Sequence, residues 1–151
     1  MIDKLDREIL RRLQKDGRMS ATALAAEVGL TVAPCHRRLK DLEATGAISG
    51  YRAVIDPAAV GLGFEALVFV TLAQVDRTTI DRFEAEVAAN SHITQAQRLF
   101  GDPDYILKVM AEDLMAYQQF YDTELTSLPG VQRLRSTLVM KNLKPAAGLP
   151  L

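Results

Sequence analysis

The chain has 151 residues, 48% hydrophobic and 25% charged, with a formal net charge of −1 and a single cysteine. That length suffices for one large domain or two small ones, and the lone Cys35 excludes an internal disulfide. No apolar run reaches the length of a bilayer span, and the opening MIDKLDREIL alternates charge with Leu and Ile instead of building a signal-peptide core, so a cytoplasmic protein is expected.

From the N-terminus, Leu5, Ile9 and Leu13 repeat at helical spacing with Ile2 and Leu10 beside them, which predicts an amphipathic helix over about Asp3 to Lys15, ending at Gly17. Ser20 then stands as an N-cap for a short helix carrying Leu24 and Val28, and Gly29 supplies the left-handed residue that ends it. Thr31 is the expected cap of a third helix, from about Val32 to Ala44. Because Pro34 has no N–H, the Thr31 hydroxyl is expected to hold the amide of Ala33 instead.

At 100° per residue, Val32, Cys35, Leu39 and Leu42 fall on one face of that third helix. Ala33, Pro34, Arg37, Lys40, Asp41 and Ala44 point away, with His36 and Arg38 on the flanks. Thr31, Ala33 and Pro34 leave room for close approach to base edges, while Arg37, Arg38 and Lys40 reach guanine acceptors or phosphates. Two short helices set around the Gly29 turn, backed by a third, form the outline of a helix-turn-helix reader of double-stranded DNA. On the inner face, Cys35 reads as a small buried hydrophobe without chemistry.

Ile48 to Ile55 is rich in β-formers and closes at Asp56-Pro57, so it is expected as a strand leading out of a winged-helix-like module, with Gly61-Leu62-Gly63 as the hinge. Residues 1–60 carry ten Lys and Arg against eight Asp and Glu, a net +2, whereas residues 61–151 carry eight against eleven, a net −3. DNA affinity rises with the number of phosphates neutralised, so one +2 module binds weakly and an oligomer is expected.

Beyond the hinge, Phe64–Ala73, Ile93–Phe100, Tyr105–Ala111 and Val131–Met140 read as strands. Between them lie one helix marked by Ile80, Phe83 and Val87, and another marked by Leu114, Tyr117, Tyr121, Leu125 and Leu128 and stopped at Pro129-Gly130. The order βαββαβ predicts a ferredoxin-like sandwich, giving an α+β protein with a DNA-binding domain at 1–60 and a second domain at 61–151. In the first of these strands Phe64, Ala66, Val68, Val70 and Leu72 face one way and Leu67 and Phe69 the other. Helices bury one sheet face only, so the second is expected to pack on another copy, giving a homodimer with two reading helices related by a two-fold axis.

The stretches LDREILRRLQKDGR at 5–18, APCHRRLKDLEATGAISGY at 33–51, Gly101-Asp102-Pro103-Asp104-Tyr105 and LPGVQRLRSTLVM at 128–140, in that order and spacing, resemble the Lrp/AsnC family of transcriptional regulators. The resemblance implies dimers that assemble further into octamers and bind an amino acid or a related small effector, whose binding shifts assembly and DNA occupancy. An amino acid needs acceptors for its ammonium and donors for its carboxylate. Asp102 and Asp104 supply the first and turn amides near Gly101 the second. Ser136 and Thr137 match family positions that bear effector-responsive residues.

No cofactor or metal is expected: His36 and His92 belong to different domains and lack a cysteine cluster, and there is neither a phosphate-binding loop nor a nucleophile elbow. Two alternatives stand beside the regulator. Siroheme decarboxylases look like this family in outline, but this chain offers only His92 in its second half. An amino-acid-binding module without DNA activity leaves Arg37, Arg38 and Lys40 without a role. The segment after Met140 predicts nothing beyond flexibility.

Overall fold

The computed structural model describes residues 1–144 and 146–151, and they form two compact units: Met1–Val54 with Leu143–Leu151, and Ile55–Asn142.

In the first unit, α1 (Lys4–Lys15) starts at a reciprocal capping box, in which the Asp6 N–H donates to Asp3 Oδ1 at 2.8 Å and the Asp3 N–H to Asp6 Oδ2 at 3.0 Å. In α2 (Ala21–Val28), the Ala23 N–H donates to Ser20 Oγ at 3.1 Å, and the helix stops at Gly29 with φ 70°. The Leu30 N–H then reaches back to the Ala25 carbonyl at 2.9 Å, closing the helix end and turning the chain into α3 (Val32–Ala44). Ile9, Leu24, Ala25, Cys35 and Leu42 are buried between the three helices, with Leu10, Leu13, Val28, Leu39 and Ile48 packed around them.

Three expectations for this unit need correction. Thr31 caps α3 by backbone conformation alone and its hydroxyl makes no cap bond. Val32 is exposed, because as the first helical residue it lies beyond the end of the core, which begins at Cys35. Residues 48–55 form no strand: a β-rich run needs a neighbour to hydrogen-bond, and none of the described residues pairs with it.

The second unit is a four-stranded antiparallel sheet of β1 (Phe64–Leu72), β2 (Ile93–Arg98), β3 (Tyr105–Ala111) and β4 (Val131–Leu138), in the order β2-β3-β1-β4. With α4 (Arg77–Ala89) and α5 (Leu114–Thr123) connecting β1 to β2 and β3 to β4, this is the ferredoxin-like βαββαβ arrangement. Ala66, Val68 and Val70 on β1 and Leu107 and Val109 on β3 meet Ile80, Phe83 and Val87 of α4 and Tyr117 and Phe120 of α5. The second helical stripe is shorter than expected. Leu114 is exposed, Phe120 is buried, and Leu125 belongs to a separate 3₁₀ turn, Leu125–Ser127.

Period-two alternation places Leu67 and Phe69 on the sheet face away from the helices, where both are half-buried. Register sets Ile106 opposite Phe69 and Lys108 opposite Leu67. The Arg135 guanidinium lies 4.8 Å from the Phe69 ring centroid, and Lys108 pairs with Glu65 at 3.0 Å, so this face carries apolar groups rimmed by charge.

Candidate DNA-reading helix and effector loop

The exposed side of α3 presents Thr31, Ala33, His36, Arg37, Lys40 and Ala44, with Pro34 half-buried at its start. The cations that sequence treats alike differ here. Arg37 makes no ion pair or side-chain hydrogen bond among the described residues. Lys40 lies 3.2 Å from Glu43 one turn on, and Glu43 also accepts the Tyr51 hydroxyl at 3.1 Å. Lys40 chiefly, then Tyr51, holds the Glu43 carboxyl below the usual carboxylate range.

Arg38 is committed elsewhere. Its Nη1 donates to Asp3 Oδ2 at 2.6 Å and to Asp6 Oδ1 at 2.8 Å, so the capping box of α1 doubles as the acceptor for α3. The Asp3 carboxyl is lowered, first by the Asp6 amide and then by Arg38, while Arg38 is raised by Asp6 and Asp3. Arg38 therefore braces α3 against α1, whereas the Arg37 guanidinium has no such partner among the described residues. The brace has a counterpart in Arg12, which bonds Glu8 at 2.8 Å and Glu27 of α2 at 3.1 Å.

In the second unit, the loop between β2 and β3 is tied down through Asp104. Its Oδ2 accepts the Leu72 N–H at 2.7 Å, its own N–H donates to the Val70 carbonyl at 3.0 Å, and its carbonyl accepts the Leu99 N–H at 2.8 Å. One carboxylate oxygen is thus structural, and the other has no hydrogen-bond partner among the described residues. Gly101 and Asp104 line a cavity of about 270 Å³ with Arg98, Leu99 and Phe100, walled by Leu72, Val75 and Ile80. The N–H groups of Phe100, Gly101 and Asp102 donate to no acceptor among the described residues. Nearby, Tyr105 donates its hydroxyl to Glu84 at 2.7 Å; burial and then Glu84 push it up to about 12, so it stays a neutral donor.

The remaining effector residues are not brought together. Asp102 is exposed and lies outside the cavity wall. Ser136 and Thr137 are consecutive on β4, so they point to opposite faces: Ser136 lies opposite Val68 and meets the Tyr117 hydroxyl at 2.5 Å, and Thr137 lies opposite Leu67. Neither lines the loop cavity. Conversely, the sequence reading missed Arg98, Leu99, Phe100 and Val75. The apolar pair Leu99-Phe100 set directly before a polar turn was the available signal.

Comparison with known proteins places this geometry. The family model for the Lrp/AsnC ligand binding domain matches residues 65–149, and one for winged helix-turn-helix DNA-binding matches residues 2–49. The chain belongs to the Lrp/AsnC family. Among its relatives, the DNA-binding transcriptional activator DecR of Escherichia coli K12 is 35% identical over 100% of this chain and 99% of its own. The leucine-responsive regulatory protein of Rhizobium meliloti is 35% identical over 96% of this chain and 93% of its own. A transcriptional regulator of Neisseria meningitidis, solved as a complex with L-Met, superposes with a TM-score of 0.94 at 34% identity, covering 99% of this chain and 97% of that one. The protein is a DNA-binding transcriptional regulator of the Lrp/AsnC family, and neither alternative reading finds support among these relatives.

Proposed function

We propose that this regulator reads duplex DNA through α3, with Arg37 as the principal base or phosphate contact, Lys40 beside it, and Thr31, Ala33 and Pro34 allowing close approach. The observation that carries the reading is the exposed Arg37, unpaired among the described residues, on a helix braced from behind by Arg38. Rigid presentation limits the entropy lost on docking. The amino-acid effector binds at the Gly101–Asp104 loop, its carboxylate on the free amides and its ammonium on the Asp104 oxygen not used by Leu72. The crystallised complex of the meningococcal relative with L-Met supports an amino acid as the ligand class.

Two copies join through the Leu67 and Phe69 face, and dimers assemble to an octamer whose arrangement the effector biases; a ligand shifts such an equilibrium only by its differential affinity for the states. No catalytic role is assigned, and the protein works in the cytoplasm on DNA and a metabolite; no described helix is long and apolar enough to cross a membrane. A thermal-shift screen of the common amino acids, followed by sizing with and without each hit, tests the sensing half. Failure of every amino acid to shift melting or assembly would refute it.

A further inference from the structure

Although nothing in the sequence predicts order after Met140, part of that segment has a seat on α1, within the same compact unit. Arg11 closes on the Leu151 carbonyl with two donors, Nε at 2.9 Å and Nη2 at 2.7 Å. One turn on, the Gln14 carboxamide pairs with both backbone groups of Leu149: Nε2 donates to the carbonyl at 3.2 Å, and Oε1 accepts the N–H. A carboxamide presents a donor and an acceptor side by side, so it reads extended backbone much as a neighbouring strand does. Gly148 permits the approach, since a Cβ there would stand 2.6 Å from the Gln14 carboxamide carbon and 3.1 Å from its Cβ. Side chains add little, with Leu149 72% and Leu143 87% exposed.

We infer that Arg11 and Gln14 form a docking site for residues 146–151 of the same chain, and that the docked tail is a releasable strap on the DNA-reading unit. The two Gln14 bonds are exposed and replace bonds to water at small net gain, the two Arg11 bonds are part-buried, and ordering the tail costs backbone entropy that offsets them, so the docked state is releasable. The strap starts after Asn142, the last residue of the second unit, just beyond Val139, whose N–H donates to the Glu65 carbonyl of β1 at 2.9 Å. Docking thereby gives the reading unit a second tether besides the run after Val54. A module held at two points samples fewer arrangements than one held at a single point, which raises the effective concentration of the second reading helix once the first has bound. The consequence for DNA rests on the proposed reading by paired α3 helices, whereas the docking site itself does not.

The test compares full-length parent, the double variant Arg11→Ala/Gln14→Ala, and Gly148→Leu, which lies outside α1 and spares its fold. Hydrogen exchange should show the Leu149 amide protected in the parent and released in both variants. Duplexes enriched by the parent from a random-sequence pool are then offered as single half-sites and as paired half-sites of varied spacing. Both variants should bind the preferred pair roughly threefold to tenfold more weakly and discriminate less among spacings, with single half-site binding unchanged. Parent-like exchange at Leu149 in both variants would overturn the docking site. Lost protection with an unaltered spacing preference would overturn the strap. A parent that enriches no DNA would refute the DNA reading, and the exchange result would still decide the docking.

Discussion

Replacing Asp104 separates two tasks held by one carboxylate. Its Oδ2 accepts the N–H of Leu72, a 4% exposed residue at the irregularity in the β1–β4 pairing, and the other oxygen faces the proposed ammonium site. Asp104→Ala leaves that buried amide without its charged acceptor, a loss of about 1.5–3 kcal/mol. In a domain of this size each kcal/mol lowers Tm by about 4–8 °C, so the second unit should melt between about 6 and 24 °C earlier. Asp104→Asn keeps an oxygen toward Leu72, making a neutral bond of roughly half the strength, so its melting should fall only a few degrees. It places an NH₂ where the ammonium would sit, so amino-acid binding should be lost in both variants. Differential scanning calorimetry and titration calorimetry with the best-responding amino acid read the two effects separately. An Asn variant that binds like the parent would refute the ammonium role, and an Ala variant that melts like the parent would refute the structural one.

Arg37→Ala should weaken binding to selected DNA by about 1–3 kcal/mol, read by fluorescence anisotropy, without moving the melting temperature. Arg38→Ala should do the reverse in the first instance, lowering the melting temperature of the N-terminal unit. Asp3 is held below its ordinary value, so its contribution is complete above a pH of about 4 and lost as pH falls below that. Removing Arg38, the second cause of that depression, should therefore make the acid loss of melting temperature shallower in a pH series. Phe69→Glu puts a carboxylate on the proposed pairing face and should yield monomers at micromolar concentration in sedimentation velocity, with the far-UV spectrum retained.

What the sequence revealed were the features written in local patterns. The three N-terminal helices, the Ser20 and Gly29 boundaries, the burial of Cys35 and the βαββαβ order all follow from spacing and capping within a few residues, and each is found. The misses are long-range or depend on a partner. The run at 48–55 has the composition of a strand, but a strand exists only with a neighbour to pair with. Ser136 and Thr137, which the family resemblance names together, point to opposite faces of β4, as strand alternation requires. Leu99 and Phe100 line the loop cavity because β2 ends at Arg98, a boundary that propensity placed two residues later.

The distinction between Arg37 and Arg38 bears most directly on function. Adjacent on the helix, they differ by about 100° in direction, and that rotation sends one toward solvent and the other to Asp3 and Asp6 across a sequence separation no local pattern encodes. The brace fixes the helix at the expense of a cation that sequence assigns to the DNA. With Arg38 paired to Asp3 and Asp6 and Lys40 beside Glu43, the proposed reading face offers fewer unpaired charges to exchange for phosphate counterions than its composition implies. A single unit is then expected to bind weakly, with occupancy rising when several units act together at matched half-sites. If two copies join through the apolar sheet face around Leu67 and Phe69, as proposed, that face governs DNA binding as strongly as any residue on α3, because the pairing would set the number of reading helices.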